Sequence, residues 1–247
     1  MNDYFTGSEI MHKKLLKVIV SLLTVGIILV ALNYLLFFDK EKQTSGTMTL
    51  NPFANLQVEV LSADVEIIEG EEFTLSYKLH GREKIQRAEV IDGTLFFKTG
   101  FDFKWRPTKG NWNVVVTIPK GTVLENIDIK TVAGDVEINN HDFNSIHAKS
   151  TAGEIALSHI NCNDMTLDTI AEDIEIKDCV VSELVRAKSV AGDIEVKLPA
   201  QSIYAESFGG IKYQGQKQGN RFELKGAFPG LELKSVSGKI EIDTIAE

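Results

Sequence analysis

One short phrase recurs along the second half of this chain and constrains the fold more than any other feature. Its copies are KTVAGDVEI (130–138), KSTAGEIAL (149–157), DTIAEDIEI (168–176), KSVAGDIEV (188–196), a shortened ESFGGIKY (206–213) and KSVSGKIEI (234–242). The apolar residue after the turn falls at Val136, Ile155, Ile174, Ile194, Ile211 and Ile240, at intervals of 19, 19, 20, 17 and 29. Within each copy apolar and polar residues alternate with period two, the signature of half-buried strands. No run between them is long and amphipathic enough for a helix, which excludes leucine-rich and βαβ readings. A 19-residue coil cannot bury its own apolar face, but stacking coils about 4.8 Å apart buries a continuous core and satisfies the backbones of both neighbours. Like residues then form columns: Ile127/Ile146/Met165/Val185, Val136/Ile155/Ile174/Ile194 and Ile138/Leu157/Ile176/Val196. The expected fold is all-β, a parallel β-helix or solenoid, right-handed by the general crossover preference. Pro119, Pro199 and Pro229 all fall outside the repeated phrases, as a hydrogen-bonded ladder demands.

The corner of each coil carries its own columns. Gly134, Gly153, Gly192 and Gly238 sit where a positive φ or a close backbone approach is needed, and Glu172 breaks that series. They are structural glycines, since neither G-x-G-x-x-G spacing nor a following helix is present. Thr131, Ser150, Thr169 and Ser189 read as a hydroxyl ladder rather than as nucleophiles. Val132, Thr151, Ile170, Val190 and Val236 run out of phase with the core. Either a corner kink turns them inward, the expectation favoured here, or they form an exposed apolar stripe that a partner could cover. Asp135, Glu154, Asp173 and Asp193 stack into an acidic column, read as solvated surface that Lys130, Lys149 and Lys188 could neutralise across the corner. A calcium ladder would carry Asp/Asn/Gly-dense loops, which are missing.

The charge is unevenly divided. Of the formal −9, residues 1–38 carry +1 and the remaining 209 residues −10, so a basic nucleic-acid footprint is absent. Residues 18–38, VIVSLLTVGIILVALNYLLFF, are 21 uncharged, mostly apolar residues. As a helix they span about 30 Å, the hydrocarbon thickness of a bilayer. Lys13, Lys14 and Lys17 precede this span and Lys40 and Lys42 follow it, which favours a cytoplasmic N-terminus. A cleaved secretory signal is the alternative, but the run exceeds an ordinary h-region and no A-x-A-like site follows. Met11 opens a typical charged n-region and competes with Met1 as the start. The expected organisation is a cytoplasmic tail (1–17), a single-pass transmembrane signal anchor (18–38), a linker (39–46), a strand-rich N-terminal part or cap (47–125) and the repeat solenoid (126–247) outside the cell. A hairpin insert near 211–226, turning at Gln218-Gly219-Asn220, is expected to project from the stack. The last strand, Lys239–Asp243, is expected to leave a sheet edge through which a second copy could pair.

Candidate chemistry is sparse. No Ser/His/Asp set, carboxylate pair or Cys/His dyad emerges, and His141, His147 and His159 lack metal-ligand spacing. The reading is therefore no enzyme, no cofactor and no metal. Cys162 and Cys179 fall on core-facing, diagonal positions, too far apart for a disulfide, and read as core fillers. Phe101, Phe103, Trp105 and Trp112 lie with Lys104, Arg106 and Lys109 between two strands. Aromatics beside cations can stack on sugars or rest at a membrane interface, which makes Phe101, Phe103, Trp105, Arg106 and Trp112 candidate partner contacts. A hydrophobic cap over the open end of the stack is the alternative, and the favoured one.

Three features together resemble the bacterial putative-adhesin family, whose defining domain has no established function. They are the opening LSADVEIIEGEEF (61–73), the strand exit Thr117-Ile118-Pro119-Lys120-Gly121 and the serial Ala-Gly-Asp-Ile/Val-Glu phrases. The resemblance covers roughly residues 47–243. It implies stacked β-coils behind an N-terminal membrane or secretion segment, brings no catalytic residues and links some members to envelope stress. The chain departs from it at Glu172, in the shortened fifth copy and in lacking a Leu-Pro-x-Thr-Gly sorting signal. The expected function is an adhesin-like binding or structural protein of the cell envelope, engaging an envelope component or membrane protein. The alternative is an envelope-stress sensor acting through a membrane partner.

Overall fold

The computed structural model describes residues 44–80, 83–101, 111–200, 202–227 and 229–244. Among these there is strand and turn but no helix, and hence no helix long and apolar enough to cross a membrane. The span expected over 18–38, with its flanking tail and most of the linker, lies outside the described residues.

The repeat unit folds as its alternation dictates. A long strand, a corner, a short strand and a second corner make one coil. In the regular region these are β8 (Val123–Lys130) and β9 (Val136–Asn139), β10 (Asp142–Lys149) and β11 (Ile155–Ser158), β12 (Asn161–Asp168) and β13 (Ile174–Lys177), then β14 (Val180–Ser189) and β15 (Ile194–Lys197). Long strands pair in parallel with long strands, and short with short. Ile127 lies opposite Ile146, Ile146 opposite Met165 and Met165 opposite Val185. Val136, Ile155, Ile174 and Ile194 likewise stand in one column. These are the columns that the repeat predicts, and their members are at most 2% exposed. The second corner turns on Asn140, His159 and Asp178, each with φ between 51° and 59°. Asn, His and Asp are the non-glycine residues that tolerate this left-handed region best, so their 19-residue spacing was a readable signal. Cys162 pairs with Val181 across the coils, and both cysteines are free and buried. Burial pushes their thiols up, Cys162 to about 12 and Cys179 to about 11.

Two earlier coils precede these: β2 (Asn55–Glu59) with β3 (Asp64–Gly70), and β6 (Thr94–Phe101) with β7 (Asn113–Pro119). They do not stack in chain order. β2–β3 pairs with β6–β7 on one side and with β8–β9 on the other, so the later coil is the outer one. The other end is rearranged in the same sense. β16 (Ser202–Tyr213) bends through both sheets, and the final strands β18 (Gly230–Ser235) and β19 (Ile240–Asp243) insert between it and β14–β15. The C-terminal strand is therefore not the free edge expected: Ile240 pairs with Ile194 on one side and Ile211 on the other.

Antiparallel strands close both ends. β5 (Glu83–Ile91) hairpins onto β6 through Asp92-Gly93, both at positive φ, the two-residue geometry expected of Asp-Gly. β4 (Thr74–Leu79) covers β7, and β1 (Thr44–Thr49) covers β4. At the far end β17 (Gln216–Leu224) folds back along the length of β16. Its turn is Gln214-Gly215, both at positive φ, rather than Gln218–Asn220, and the hairpin extends the sheets instead of projecting from them. Lys217, Arg221 and Glu223 on this strand discourage further pairing. The N-terminal end also holds a buried carboxylate. Glu83 accepts from the Leu61 N–H (2.9 Å), the Ser62 hydroxyl (3.0 Å) and the Thr99 hydroxyl, tying the first corner to β5 and β6.

Because β18 and β19 are an internal slice, ending the chain before Gly230 should expose the facing columns of both neighbours. The expected outcome is loss of the cooperative thermal transition by circular dichroism. A truncated chain that melts like the full one would overturn the insertion.

Candidate functional site

In the repeated coils from β8–β9 onward the first corner is built from five adjacent columns, and each has a physical cause. The glycine column exists because coils nearly touch there. A Cβ on Gly153 would sit 2.0 Å from the Gly134 carbonyl oxygen, and one on Gly192 would sit 1.9 Å from that of Glu172. Close approach, not positive φ, is the requirement. The hydroxyl column stitches the same point. Thr131, Ser150, Ser189 and Ser235 each accept the N–H of the glycine three residues on, at 2.8–3.0 Å. Ser150 and Thr169 in turn donate to the carbonyls of Gly134 and Gly153 one coil earlier, both at 3.3 Å. Ser189 does the same to Glu172, and Ser235 to Gly192.

The acidic column is bonded as well as solvated. Asp64 accepts the N–H of Asp135 (3.0 Å), Asp135 that of Glu154 (2.8 Å), Asp173 that of Asp193 (2.7 Å) and Asp193 that of Lys239 (2.6 Å). Each aspartate thus caps an amide of the following coil. Burial, then the neighbouring carboxylates, raises the pKa of Glu154: Asp135 and Asp173 of its own column and Glu175 and Glu172 beside it all repel its charge. Burial likewise raises that of Asp64, against the opposing bond from the Asp135 amide.

Between these columns lies the stripe. Val132, Ile170, Val190 and Val236 are 46–55% exposed, so no kink turns them inward, contrary to the expectation. The tip must point outward because its amides and carbonyls join the neighbouring corners. The Ala133 N–H donates to Leu61 O, that of Ala152 to Val132 O, that of Ala191 to Ile170 O and that of Ser237 to Val190 O. Phe208, 79% exposed, continues the stripe onto the outermost coil, a contribution the shortened copy obscured. Lysines flank the stripe on its other side, but they do not neutralise the acidic column. Lys130 pairs with Asp128 (2.6 Å) and Lys234 with Glu232 (3.0 Å) on their own face. Lys149 and Lys188 have no ion pair among the described residues. A groove of about 480 Å³ runs beside the stripe, lined by Lys149, Asp168, Lys188, Glu206 and Lys234 together with Ile170, Val190, Val236 and Phe208. The result is an apolar ridge with carboxylates along one flank and, along the other, lysines interrupted by Glu59, Asp168 and Glu206.

The aromatic–basic candidates are not brought together among the described residues. Phe103, Trp105 and Arg106 lie outside them, and Phe101 is described only as the strand residue paired with Glu83. Trp112 is half-buried, packs on the core and meets the His80 ring edge-on at 5.4 Å. Among the described residues no group of three or more His, Cys, Asp or Glu side chains is placed to hold a metal ion.

Fold and ridge define the class: an extended stack of β-coils whose distinctive surface chemistry is a lateral ridge. The chain belongs to the Toastrack DUF4097 family, whose profile matches residues 53–246. A solved structure described as a "putative cell adhesion protein", from Clostridium sporogenes, is similar over 83% of this chain and 100% of its own, with a TM-score of 0.50 at 12% identity. A "putative adhesin" from Bacteroides fragilis is similar over 81% of this chain and 97% of its own, with a TM-score of 0.48 at 16% identity. At such identities the first likeness shows the fold. No curated protein matches the chain.

Two outcomes check the corner. Asp193→Ala should destabilise by about 1 kcal/mol, the worth of the Lys239 amide bond, whereas Asp193→Asn, which keeps an acceptor, should cost less; equal denaturation midpoints would refute the cap. Glu154 has a folded pKa above its ordinary value, so its favourable contribution is present below the usual carboxylate range and lost as pH rises through the raised value. Glu154→Gln should therefore raise the melting temperature near about pH 7, with the gain vanishing below about pH 4.

Proposed function

We propose that this chain is a non-catalytic, adhesin-like scaffold of the bacterial cell envelope, held by residues 18–38 as a single-pass anchor with its N-terminus cytoplasmic and the coil stack outside, and that it engages its partner laterally through the corner ridge. The exposed apolar stripe carries the reading. Core columns alternate strictly and stay buried, while Val132, Ile170, Val190 and Val236 repeat at one exposed position with no packing duty. Repetition of apolar side chains on a wet surface is costly for solubility and marks an interaction face. The uncharged 21-residue run supports the anchor, and the −10 of the remainder argues against nucleic acid and anionic lipid as what the ridge meets.

The test uses the full chain in its own membranes. Removing residues 1–38 should move it to the soluble fraction. Crosslinking intact cells should yield a higher-mass adduct that is lost with the paired substitutions Ile170→Asp and Val190→Asp, both at exposed positions that leave the melting temperature within about 1 °C. An adduct unchanged by those substitutions would overturn the ridge as the contact, and a truncated chain still in the membrane would overturn the anchor.

A further inference from the structure

An end strand with free backbone groups is a template for another strand unless charge, proline or a bulge spoils it. Among the described residues three strands pair on one side only: β5 with β6, β17 with β16 and β1 with β4. Two of these edges are spoiled. β5 carries Lys84, Arg87 and Glu89 and shifts register between Ile85 and Arg87. β17 carries Lys217, Arg221 and Glu223, and its pairing with β16 shifts between Glu206 and Ile211. β1 has neither device. Its sequence, Thr-Ser-Gly-Thr-Met-Thr, holds no charge and no proline, and it runs in unbroken register along β4 from Thr44 to Thr49. It also stands furthest out. Beyond the coil β6–β7 the long-strand sheet adds one strand, β5, whereas the short-strand sheet adds two, β4 and then β1.

The ladder fixes which backbone groups β1 leaves over. The Leu50 N–H donates to the Phe73 carbonyl (2.8 Å), one step past the Thr49–Thr74 pair. Antiparallel pairs alternate between bonded and unbonded, so Met48, Gly46 and Thr44 turn their backbone groups toward β4. Ser45, Thr47 and Thr49 turn an N–H and a C=O each away from it. This row is complementary to itself. A second β1, antiparallel and centred on Thr47, sets Thr47 against its counterpart and Ser45 against Thr49, and every outward group gains a partner. The side chains agree with that register. On one face the exposed hydroxyls of Ser45, Thr47 and Thr49 meet hydroxyls. On the other, Met48 comes opposite Gly46, beside the Tyr77 ring that occupies the glycine's free space, a thioether against an aromatic edge. No charge on either strand opposes a like charge.

We propose that β1 is an interface between two copies of this chain, joined edge to edge by antiparallel β1 strands about a two-fold axis through Thr47, so that the short-strand sheet runs on from one copy into the other. One patch used by both copies closes the pair. A ladder of one short strand buries less than a standard interface, so association is reversible and concentration-dependent. The chain outside the structure fits this arrangement. Residues 1–43 leave each copy at Thr44, and the two exits lie about 20 Å apart along the ladder. Both 18–38 runs can then enter one bilayer, and sharing it raises the effective concentration of the edges. The pairing itself depends on neither the ridge nor the anchor.

Single cysteines on the full chain test the register. Both native thiols are buried and held protonated well above neutral pH, so they stay silent under mild oxidation. Thr47→Cys meets its counterpart at a Cα separation of about 5.5 Å, within disulfide reach. It should give a product of twice the chain's mass, which Ile170→Asp and Val190→Asp on the ridge leave in place. Thr49→Cys lies about 14 Å from its counterpart and should give none, while a mixture of Thr49→Cys and Ser45→Cys should give the mixed product. Self-crosslinking of Thr49→Cys as strong as that of Thr47→Cys would overturn the register. No crosslinking of Thr47→Cys at concentrations where the chain is folded by circular dichroism would overturn the second copy as the partner. Charge exchange gives an independent arm, read by sedimentation equilibrium. The Thr47 side chain is exposed, so substitutions there leave the fold intact. Thr47→Lys and Thr47→Glu should each raise the dimer dissociation constant about five-fold, and an equimolar mixture of the two should return it to within about two-fold of the unmodified chain. A mixture as weak as either variant alone would refute the facing edges.

Discussion

Where Gly134, Gly153, Gly192 and Gly238 hold the first corner, the backbones of neighbouring coils come together until only hydrogen fits between them, and the remaining architecture is arranged around that contact. A Cβ at Gly134 would lie 1.9 Å from the Ala63 carbonyl oxygen and one at Gly238 2.0 Å from that of Gly192. With glycine there, a hydroxyl accepts the amide of its own corner and donates to the carbonyl of the coil before, and an aspartate reaches the amide of the coil after. Unpaired buried backbone groups cost about as much as a lost hydrogen bond each, which is why the corner recurs with so little variation. Glu172 is instructive: it stands at the exposed lip of the corner, and Ser189 still bonds to its carbonyl.

A parallel stack has two raw ends, and this chain deals with both in the same way. It places one coil outside its sequence position and then folds an antiparallel strand over that coil. β6–β7 lies outside β2–β3 and carries β5 and β4; β16 lies outside β19 and carries β17. Hairpins suit this duty, because a tight turn at Asp92-Gly93 or Gln214-Gly215 supplies the closing strand from the end coil's own neighbour in sequence. The chain's last strands are then locked between two ladders rather than left at an edge.

The ridge follows from the same corner. Backbone bonding between tips requires the residue after the hydroxyl to face outward, whatever its side chain. Polar residues there would have served stability equally well, and Thr151 shows that the position accepts one. Val, Ile, Val and Val at the other levels therefore answer to something beyond the fold. The charged residues beside them are the outward residues that end one strand and begin the next: lysines with Glu59, Asp168 and Glu206 among them on the long-strand side, and carboxylates as far as Lys239 on the short-strand side.

Periodicity by itself determined the coils, their parallel pairing and the core columns, because a period-two pattern repeated every 19 residues has one economical way to bury its apolar side. Gly134, Gly153, Gly192 and Gly238 marked the corner, and the hydroxyl and acidic columns were legible as columns. What they bond to was not: the Asp135–Glu154 amide bond joins residues adjacent only once coils are stacked. The direction of Val132 and its mates was misread because alternation describes strands and fails at a turn, where bonding between neighbouring tips sets the outcome. Coil order was also beyond the sequence, since Ile240 matches Ile194 and Ile211 equally well as a column mate, and only the need to close an open edge puts it between them. The buried Glu83 had no local signal at all, because its three donors come from the first corner and from β6. Local pattern decides which face of a strand is buried; contacts between distant slices decide where each slice goes and what its corners present.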